Sequence, residues 1–408
     1  MKNIINIVTS ALFAAFLLIF TAAFVLTPDA DFSEEENRNL TTFPKFTWER
    51  LLDGSFSSDI NEYFADQFPA RDALVGIKGV TETLLLKGEN NGVLLGEDGQ
   101  LAVRLFDAYK SRLERTPDMD YYYTENVAVA VNALNAFAKS SAVPVTTMFP
   151  PRTVDVAASA FDYPTEISDA LDAQLAETII PEAGYMADLR KRMEDLYSHG
   201  EYVYYRTDHH WTTYGAYIAY ILLMQEWDMA DEILPPESFT VETVDNFYGT
   251  TWSRAGYKFV EPDTLEIWSP GSEDEFTTTC YAEKQVKGED GKPTRVKEAT
   301  KIFPGWLNRE YLAKKDKYAA FLDGTHNEQT VFKNGETDRP RPRLLIAKDS
   351  FANTMVPFLA QHFDLVIVNL AGRMTDLTSY IEEYGCDRVL IVWNRANLIE
   401  NNILAAIK

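Results

Sequence analysis

The sequence predicts an α/β protein: a doubly wound, mostly parallel β-sheet with a partly β insertion, preceded by an apolar N-terminal helix. Three observations lead to this prediction. Short apolar runs alternate with helical segments near the C-terminus, helix and strand patterns also alternate upstream of them, and residues 4–26 carry no charge. Apolar runs of this length are typical of strands buried on both faces, as in a parallel sheet covered by helices.

The N-terminal segment predicts export. Lys2 precedes an uncharged run from Ile4 to Leu26, which exceeds the roughly 7–15 residues of a cleavable signal and reaches the roughly 20 needed to span a bilayer. We therefore favour an uncleaved, single-pass anchor in the cell membrane, with everything after Pro28 outside the cytoplasm. The alternative is cleavage near Ala22-Ala23, which would give a secreted or periplasmic protein.

Three segments are predicted. Residues 1–27 form the signal anchor, and residues 28–92 form a juxtamembrane segment rich in aromatic residues. Residues 93–408 form the main domain, which opens with a small β element around the turn signal Asp98-Gly99. The α/β rhythm is lost at about residues 231–341, where Gly, Pro, Thr and charged residues are frequent, and this stretch is predicted to be the insertion.

Hydrophobic periodicity places the elements of the main domain. Helices are predicted at residues 125–139, 166–179 and 184–197, and a further helix begins near Thr212 and buries one face through residues 216–227. Strands are predicted at residues 143–149, 202–205, 344–347, 365–370 and 389–393.

Composition narrows the function. Lys and Arg total 38 against 62 Asp and Glu, for a net charge of −24, and such a surface repels phosphate backbones, so we expect no nucleic-acid partner. The two cysteines, Cys280 and Cys386, allow one disulfide, with a buried free thiol as an equal alternative. Our leading interpretation includes no cofactor and no bound metal.

A histidine-rich motif, Asp208-His209-His210-Trp211, is the first candidate for chemistry. In an extended segment Asp208 and His210 share one side and His209 points to the other. A carboxylate beside an imidazole fixes its tautomer and stabilises the imidazolium, as a general base requires. The alternative is that Asp208 caps a helix and the histidines pack in the core.

Ser350 is the second candidate. It follows the predicted strand at residues 344–347 in the string Lys348-Asp349-Ser350-Phe351, where a strand gives way to a helix. Ligands bind at the carboxyl edge of such sheets, and free helix N–H groups there can stabilise an oxyanion. A serine and an Asp-His pair are the parts of an activated nucleophile. Simple helix capping by Asp349 or Ser350 is the alternative.

Residues 208–211 resemble the motif of the DHHW protein family, and the similarity extends from about Glu36 to the C-terminus. Similar features are the strings Glu36-Asn37-Arg38-x-Leu40, Phe43-Pro44, Tyr63-Phe64-x-Asp66-Gln67-Phe68-Pro69-x-Arg71, Phe247-Tyr248-Gly249-Thr250, Pro262-Asp263, and Lys348-Asp349-Ser350-Phe351 followed by Val356-Pro357-Phe358-Leu359. That family resembles the SGNH-hydrolase-like proteins of alginate O-acetylation. The resemblance implies an SGNH-hydrolase-like domain.

The resemblance also implies roles for residues. Carried over by position, Asp208 is the orienting acid, His210 the base and Ser350 the nucleophile. Arg373 falls where the alginate proteins have an arginine near the active site, with a surface loop cation as the alternative. His209 stands where they have a small residue, so substrate contact and packing both remain open for it and for Trp211.

One departure concerns the oxyanion site. Where the resemblance implies a turn rich in Gly and Asn, the chain has Asp323-Gly324-Thr325-His326. Asn394, just past the last predicted strand, is a substitute donor or else a loop residue.

The function implied is a serine-dependent O-acyltransferase or esterase, acting through an acyl-enzyme with an acetyl group. Its partners would be an exported or cell-surface polysaccharide and an acyl donor delivered by a membrane acyltransferase. Two alternatives stand beside it. One is a non-catalytic polysaccharide-binding or assembly factor with a cleft rimmed by Trp211, Trp252 and Trp268. The other is a metal-dependent hydrolase with Asp208, His209 and His210 as ligands.

Overall fold

The computed structural model describes residues 2–33, 35–36, 38–104, 125–161, 166–287, 293–335, 340–371 and 376–408. These residues form two compact units. The first comprises Met1–Asn91 and Trp252–Phe259, and the second comprises Gly92–Thr251 and Val260–Lys408.

The first unit begins with a long apolar helix, α1. The stretch Ile4–Leu26 of this helix has the length and the apolar composition needed to cross a membrane. Its elements are α1 (Lys2–Leu26), β1 (Phe32–Ser33), β2 (Arg38–Asn39), α2 (Trp48–Leu52), α3 (Ser55–Asp66), α4 (Arg71–Leu84) and β3 (Glu89–Asn90).

The polar residues of the N-terminal signature form one ion-pair network in this unit. Arg38 donates to both carboxylate oxygens of Asp66, at 2.9 and 2.5 Å, and Glu36 accepts from both Arg38 and Arg71. The bonds from Arg38 hold the pKa of the Asp66 carboxyl at about 2. The network therefore joins the β1–β2 hairpin region to α3 and α4.

The second unit is mixed α/β. Its helices are α5 (Glu125–Ser140), α6 (Thr153–Val156), α7 (Glu166–Thr178), α8 (Leu189–Ser198), α9 (Thr213–Glu226), α10 (Thr250–Ala255, which runs into the first unit), α11 (Val356–Leu359), α12 (Leu377–Tyr384) and α13 (Arg395–Glu400). Its strands are β4 (Val93–Leu95), β5 (Leu101–Val103), β6 (Val145–Met148), β7 (Thr240–Phe247), β8 (Asp263–Ser269), β9 (Phe276–Lys287), β10 (Pro293–Pro304), β11 (Glu328–Lys333), β12 (Arg343–Lys348), β13 (Asp364–Asn369) and β14 (Arg388–Val392).

The central sheet has the order β10-β9-β11-β13-β12-β14-β6. Its last four strands are parallel, and the pairs among its first four are antiparallel. The prediction of a mostly parallel sheet is therefore wrong in one half of the sheet. The reason is that β9, β10 and β11 come from the region predicted as an insertion and extend the sheet as a hairpin and a return strand.

Two hydrophobic clusters cover the two faces of this sheet. Alternate residues of β12 enter different clusters, with Leu344 and Ile346 in one and Leu345 and Ala347 in the other. Side chains of α9 belong to the first cluster, and side chains of α5 and α7 belong to the second. Ser350 follows the carboxyl end of β12, at the edge where sheets of this kind bind ligands.

Two predicted elements differ from the structure. The predicted helix at residues 184–197 begins only at Leu189, because Gly184 is left-handed (φ 52°) and Asp188 is the N-cap. The strand predicted at residues 202–205 is reduced to one isolated bridge between Tyr204 and Trp211. The chain turns back immediately after that bridge, within the histidine motif.

Candidate active site

The histidine motif lies in a tight loop that precedes α9. Thr212 caps this helix by accepting a hydrogen bond from the Gly215 amide at 3.1 Å. At the start of the loop, Asp208 Oδ1 accepts from the backbone N–H of His210 at 3.0 Å. This side-chain-to-backbone bond two residues along closes a turn, so the loop conformation brings the carboxylate beside the imidazole.

Asp208 and His210 are directly paired. Oδ1 of Asp208 lies 2.5 Å from Nδ1 of His210, and both residues are buried. With Nδ1–H donating to the carboxylate, the neutral imidazole has its acceptor lone pair on Nε2. The pair therefore presents a base at Nε2.

Ser350 completes a hydrogen-bonded chain with this pair. It starts the 3₁₀ turn Ser350–Met355 that follows β12, and its Oγ lies 2.7 Å from Nε2 of His210. The three side chains thus meet although His210 and Ser350 are 140 residues apart in the sequence. The distance is within hydrogen-bond reach for a base and a nucleophile.

The carboxylate of Asp208 is held from its other side by the start of α10. Oδ2 accepts from the backbone N–H of Thr250 at 2.8 Å and from its hydroxyl at 3.0 Å. A Cβ on Gly249 would lie only 2.2 Å from Cβ of Asp208. Glycine at this position therefore permits the close approach of the two segments.

The electrostatics of the pair favour an ionised carboxylate. Burial raises the pKa of Asp208, but the charges of His209 and His210 and the hydrogen bonds from His210 outweigh it and leave the pKa below its usual range. Burial and the charge of His210 lower the pKa of His209. The site thus keeps a negative charge beside His210, where it stabilises an imidazolium.

His209 does not point away from the pair, contrary to the sequence prediction. Its ring lies 3.9 Å from the ring of His210, and its Nδ1 lies 2.8 Å from Oγ1 of Thr250. The extended geometry that we assumed is replaced by a bend, which places both imidazoles side by side. The His209 side chain remains 40% exposed, so it can meet a ligand.

Tyr318 orients both His210 and Ser350 and was not recognised in the sequence. Its ring stacks on the His210 imidazole at 3.9 Å with an interplanar angle of 11°. Its hydroxyl donates to the backbone carbonyl of Ser350 at 3.0 Å. Nothing in the local sequence marks this tyrosine, because its partners are remote along the chain.

Lys348 and Asn353 lie beneath the serine turn. Lys348 is 2% exposed, and its Nζ donates to Oδ1 of Asn353 at 2.6 Å. Burial lowers the pKa of this lysine to about 8. In a 3₁₀ turn residues three apart lie on the same face, so Asn353 shares the face of Ser350. The lysine fixes the orientation of the Asn353 amide, which puts its nitrogen on the opposite side from Nζ.

Asp349 fastens the same turn to the end of β14. Its Oδ2 accepts from the backbone and side-chain nitrogens of Asn394 at 2.7 and 2.6 Å and from Asn397 at 3.1 Å. Its Oδ1 accepts from the Phe351 amide at 3.0 Å. Asp349 is thus the cap that sequence reasoning offered as one alternative, with Ser350 held beside it.

The remaining sequence candidates have different placements. Asn394 caps α13 and donates its side-chain amide to Asp349, so these contacts hold the helix and the serine turn in place. Trp211 is fully buried and donates Nε1–H to Phe351 O and to Thr354 Oγ1. Arg373 lies outside the described residues.

A cavity of about 190 Å³ adjoins the site. His209 and Phe351, the neighbours of His210 and Ser350, contribute to its wall together with Arg104, Arg152 and Asn394. Arg152 is held by Asp155, with nitrogen–oxygen distances of 2.8 and 2.5 Å. The cavity therefore combines apolar walls with cationic side chains, and it reaches the active site through His209 and Phe351.

The aromatic rim predicted for the non-catalytic alternative does not form. Trp211 is fully buried, and Trp252 and Trp268 are each only 7% exposed. None of the three offers a free indole face for a sugar.

Both cysteines are buried free thiols. Among the residues that the structure describes, two groups of side chains have ligand atoms close enough for a metal, within 4.8 Å of one another: Asp208, His209 and His210, and Cys280, Asp323 and His326.

Comparisons with known proteins bear on this site. The DHHW protein family matches residues 185–369, and the SGNH hydrolase-like domain of acetyltransferase AlgX matches residues 109–258. No curated protein matches the chain in sequence.

Solved structures give the fold. A DHHW family protein from Eubacterium siraeum is 20% identical, with a TM-score of 0.57, covering 78% of this chain and 95% of that chain. PatB1 of Bacillus cereus, in a structure with a sulfonyl adduct, is also 20% identical, with a TM-score of 0.53, covering 78% of this chain and 100% of its own.

The resemblance inferred from the sequence is thereby confirmed. The matched DHHW region ends at Asn369 and contains Asp208, His210 and Ser350. Residues 185–369 thus resemble the DHHW protein family, and residues 109–258 resemble the SGNH hydrolase-like domain of the acetyltransferase AlgX.

Proposed function

We propose that the protein is an extracytoplasmic O-acyltransferase or esterase that carries an acetyl group on Ser350. The observation that carries the proposal is the hydrogen-bonded chain from Asp208 through His210 to Ser350 Oγ, with distances of 2.5 and 2.7 Å. A serine alcohol is a weak nucleophile until an adjacent base removes its proton, and this arrangement supplies the base and its orienting acid.

The reaction has two steps that share one intermediate. Ser350 Oγ attacks the acyl carbonyl of the donor while its proton passes to His210 Nε2, and collapse of the oxyanion expels the donor's leaving group with that proton. A sugar hydroxyl or water then gives a proton to His210 and attacks the acyl-serine. Collapse of this second oxyanion breaks the bond to Oγ, which takes the proton back from His210, so both residues are restored. We assign the backbone N–H of Ser350 and the Asn353 amide, both on the serine turn, as donors to the oxyanion.

Transfer and hydrolysis differ in the acceptor. The cavity beside Ser350 is bounded by His209, Arg104 and Arg152, so a hydroxyl-rich acceptor would find donors there. The family resemblance supports an exported or cell-surface polysaccharide as this acceptor and a membrane acyltransferase as the source of the acyl group. The apolar helix α1 supports an anchored protein whose site faces outside the cytoplasm.

A metal-dependent hydrolase is the competing enzyme. Asp208, His209 and His210 could hold an ion, but Oδ1 of Asp208 and both ring nitrogens of His210 already have partners in the chain to Ser350. Oδ2 of Asp208 accepts from Thr250. A bound ion would have to break that chain. Metal analysis of protein washed with a chelator separates the two, since stoichiometric zinc with retained activity would favour the hydrolase.

Labelling with a fluorophosphonate tests the proposal directly. We expect covalent modification at Ser350, read by mass spectrometry of the peptide that contains it. Ser350→Ala should abolish the label, and His210→Gln should slow it because Oγ then loses its base. Ser253, buried in the 252–259 segment, provides a matched Ser253→Ala control that keeps the label. Active protein that shows no label at Ser350 would refute the proposal.

A further inference from the structure

The first unit, which begins with α1, exposes many large apolar side chains. We call this surface the apolar collar. Its members come from the segment before and within α2 and from one face of α4. They are Phe43 (60% exposed), Phe46 (51%), Trp48 (71%), Leu52 (85%), Leu74 (41%), Ile77 (62%) and Leu84 (77%).

Helix α4 buries its small residues and exposes its large ones. A Cβ on Gly79 would lie 2.4 Å from the Gly256 carbonyl oxygen, and a Cβ on Gly76 would lie 3.0 Å from Lys258 Cγ. Both contacts are within the first unit, so the glycine face is the packed one. At about 100° per residue, Ile77 and Leu84 lie on the opposite face, which faces outward.

Contacts with α1 set the depth of the collar. The ring of Phe68, between α3 and α4, stacks on Phe20 at 5.4 Å, and Phe64 lies 5.1 Å from Phe24. At about 1.5 Å of rise per residue, Phe20 lies about 9 Å along the helix from Leu26, where the apolar run ends. Interfacial helices bury their apolar faces by roughly 5–10 Å. A chain segment attached to α1 at this level therefore reaches the boundary of headgroups and acyl chains.

We propose that the apolar collar lies in the outer membrane–water interface of the bilayer that α1 crosses. Tryptophan and phenylalanine are enriched at that depth, and leucine-rich faces bury in the acyl boundary. A second copy of the chain could also cover the collar. We favour a lipid surface, because α1 anchors the collar to the same bilayer. The inference rests on α1 remaining in the mature chain and is independent of the acyl chemistry.

Trp48 provides a built-in reporter. The other six tryptophans are at most 8% exposed, so contact quenchers act chiefly on Trp48. The full chain is placed in phosphatidylcholine nanodiscs whose lipids carry a nitroxide either near the headgroup end or near the methyl end of the acyl chain. We expect a loss of emission that is larger with the shallow label, and we expect Trp48→Phe to remove that loss.

A second reporter tests α4. In the Trp48→Phe background, Ile77→Trp should regain quenching by the shallow label. Quenching of Trp48 by aqueous iodide with none by either lipid label would overturn the proposal. The proposal would also be overturned if Trp48 were protected from iodide only in discs that hold two copies, because a second chain would then cover the collar.

Intact mass of the reconstituted protein completes the test. A chain cleaved between Ala22 and Phe24 would lose Phe20, its contact with Phe68 and most of the apolar run that crosses the bilayer, and the proposal would fall. Fluorophosphonate labelling of Ser350 in the same sample reports on the proposed chemistry separately. The two proposals can therefore fail independently.

Discussion

Replacing Gly249 by alanine tests whether the position of Asp208 governs the reactivity of Ser350. The new Cβ would lie 2.2 Å from Asp208 Cβ and 2.4 Å from Oδ2, against about 3.4 Å for an ordinary contact. The two segments must therefore separate by about 1.2 Å. If Asp208 takes up the movement, its 2.5 Å bond to His210 stretches beyond hydrogen-bond range.

The expected cost follows from that displacement. A misplacement of about 1 Å in catalytic geometry lowers rates by about 100-fold, which is about 2.7 kcal/mol in activation free energy. We expect the loss in kcat for hydrolysis of p-nitrophenyl acetate and in the rate of fluorophosphonate labelling, while KM changes little because the cavity wall is untouched.

Gly88→Ala is the matched control, since a Cβ there meets nothing within 4 Å. Thermal unfolding of both variants separates a moved carboxylate from a lost fold. A folded Gly249→Ala protein that labels at the wild-type rate would refute the reasoning, because Asp208 would then be displaced without consequence.

Three further predictions concern residues around the pair. Thr250→Val removes the hydroxyl bond to Asp208 but keeps the amide bond, so we expect about a tenfold loss of kcat that Thr250→Ser restores; equal losses in both variants would contradict this. Tyr318→Phe keeps the ring stacked on His210 and should retain more activity than Tyr318→Leu, measured by labelling rate. Burial lowers the pKa of Lys348 from 10.5 to about 8, so between these pH values the unfolded chain binds more protons and stability rises with pH. At 1.36 kcal/mol per pKa unit the whole rise is about 3 kcal/mol, and denaturant unfolding at pH 7.5 and 10 should show about 2 kcal/mol of it in wild type but none in Lys348→Met.

The sequence predicted the strands around Ser350 well because they are buried on both faces. An apolar run such as residues 344–347 leaves little choice of structure, and the observed β12 extends it by one residue at each end. Strands β9 and β10 were harder to predict, because they are rich in Thr and charged residues. Their place in the sheet also depends on partners far along the chain.

Within the candidate site, the local pairing was the predictable part. Asp208 and His210 are two residues apart, so many local backbone conformations can pair them. The bend that also places the His209 ring beside His210 was not predicted. Tyr318 could not be found, because its role comes from a stacking contact across more than a hundred residues. The Gly249-Thr250 string was noted as a similarity without a role. The need for glycine at residue 249 becomes visible only in the structure, where a Cβ would clash with Asp208.

The long separation between His210 and Ser350 has a consequence for how the protein matures. Strand β12 sits between β13 and β14, which follow it in the chain, and β14 also pairs with β6, which precedes it by more than 200 residues. Contacts of such high sequence separation form late. A chain refolded without its last strands would hold the serine but lack the strands that position it, so we expect labelling at Ser350 also to count the molecules that have finished folding.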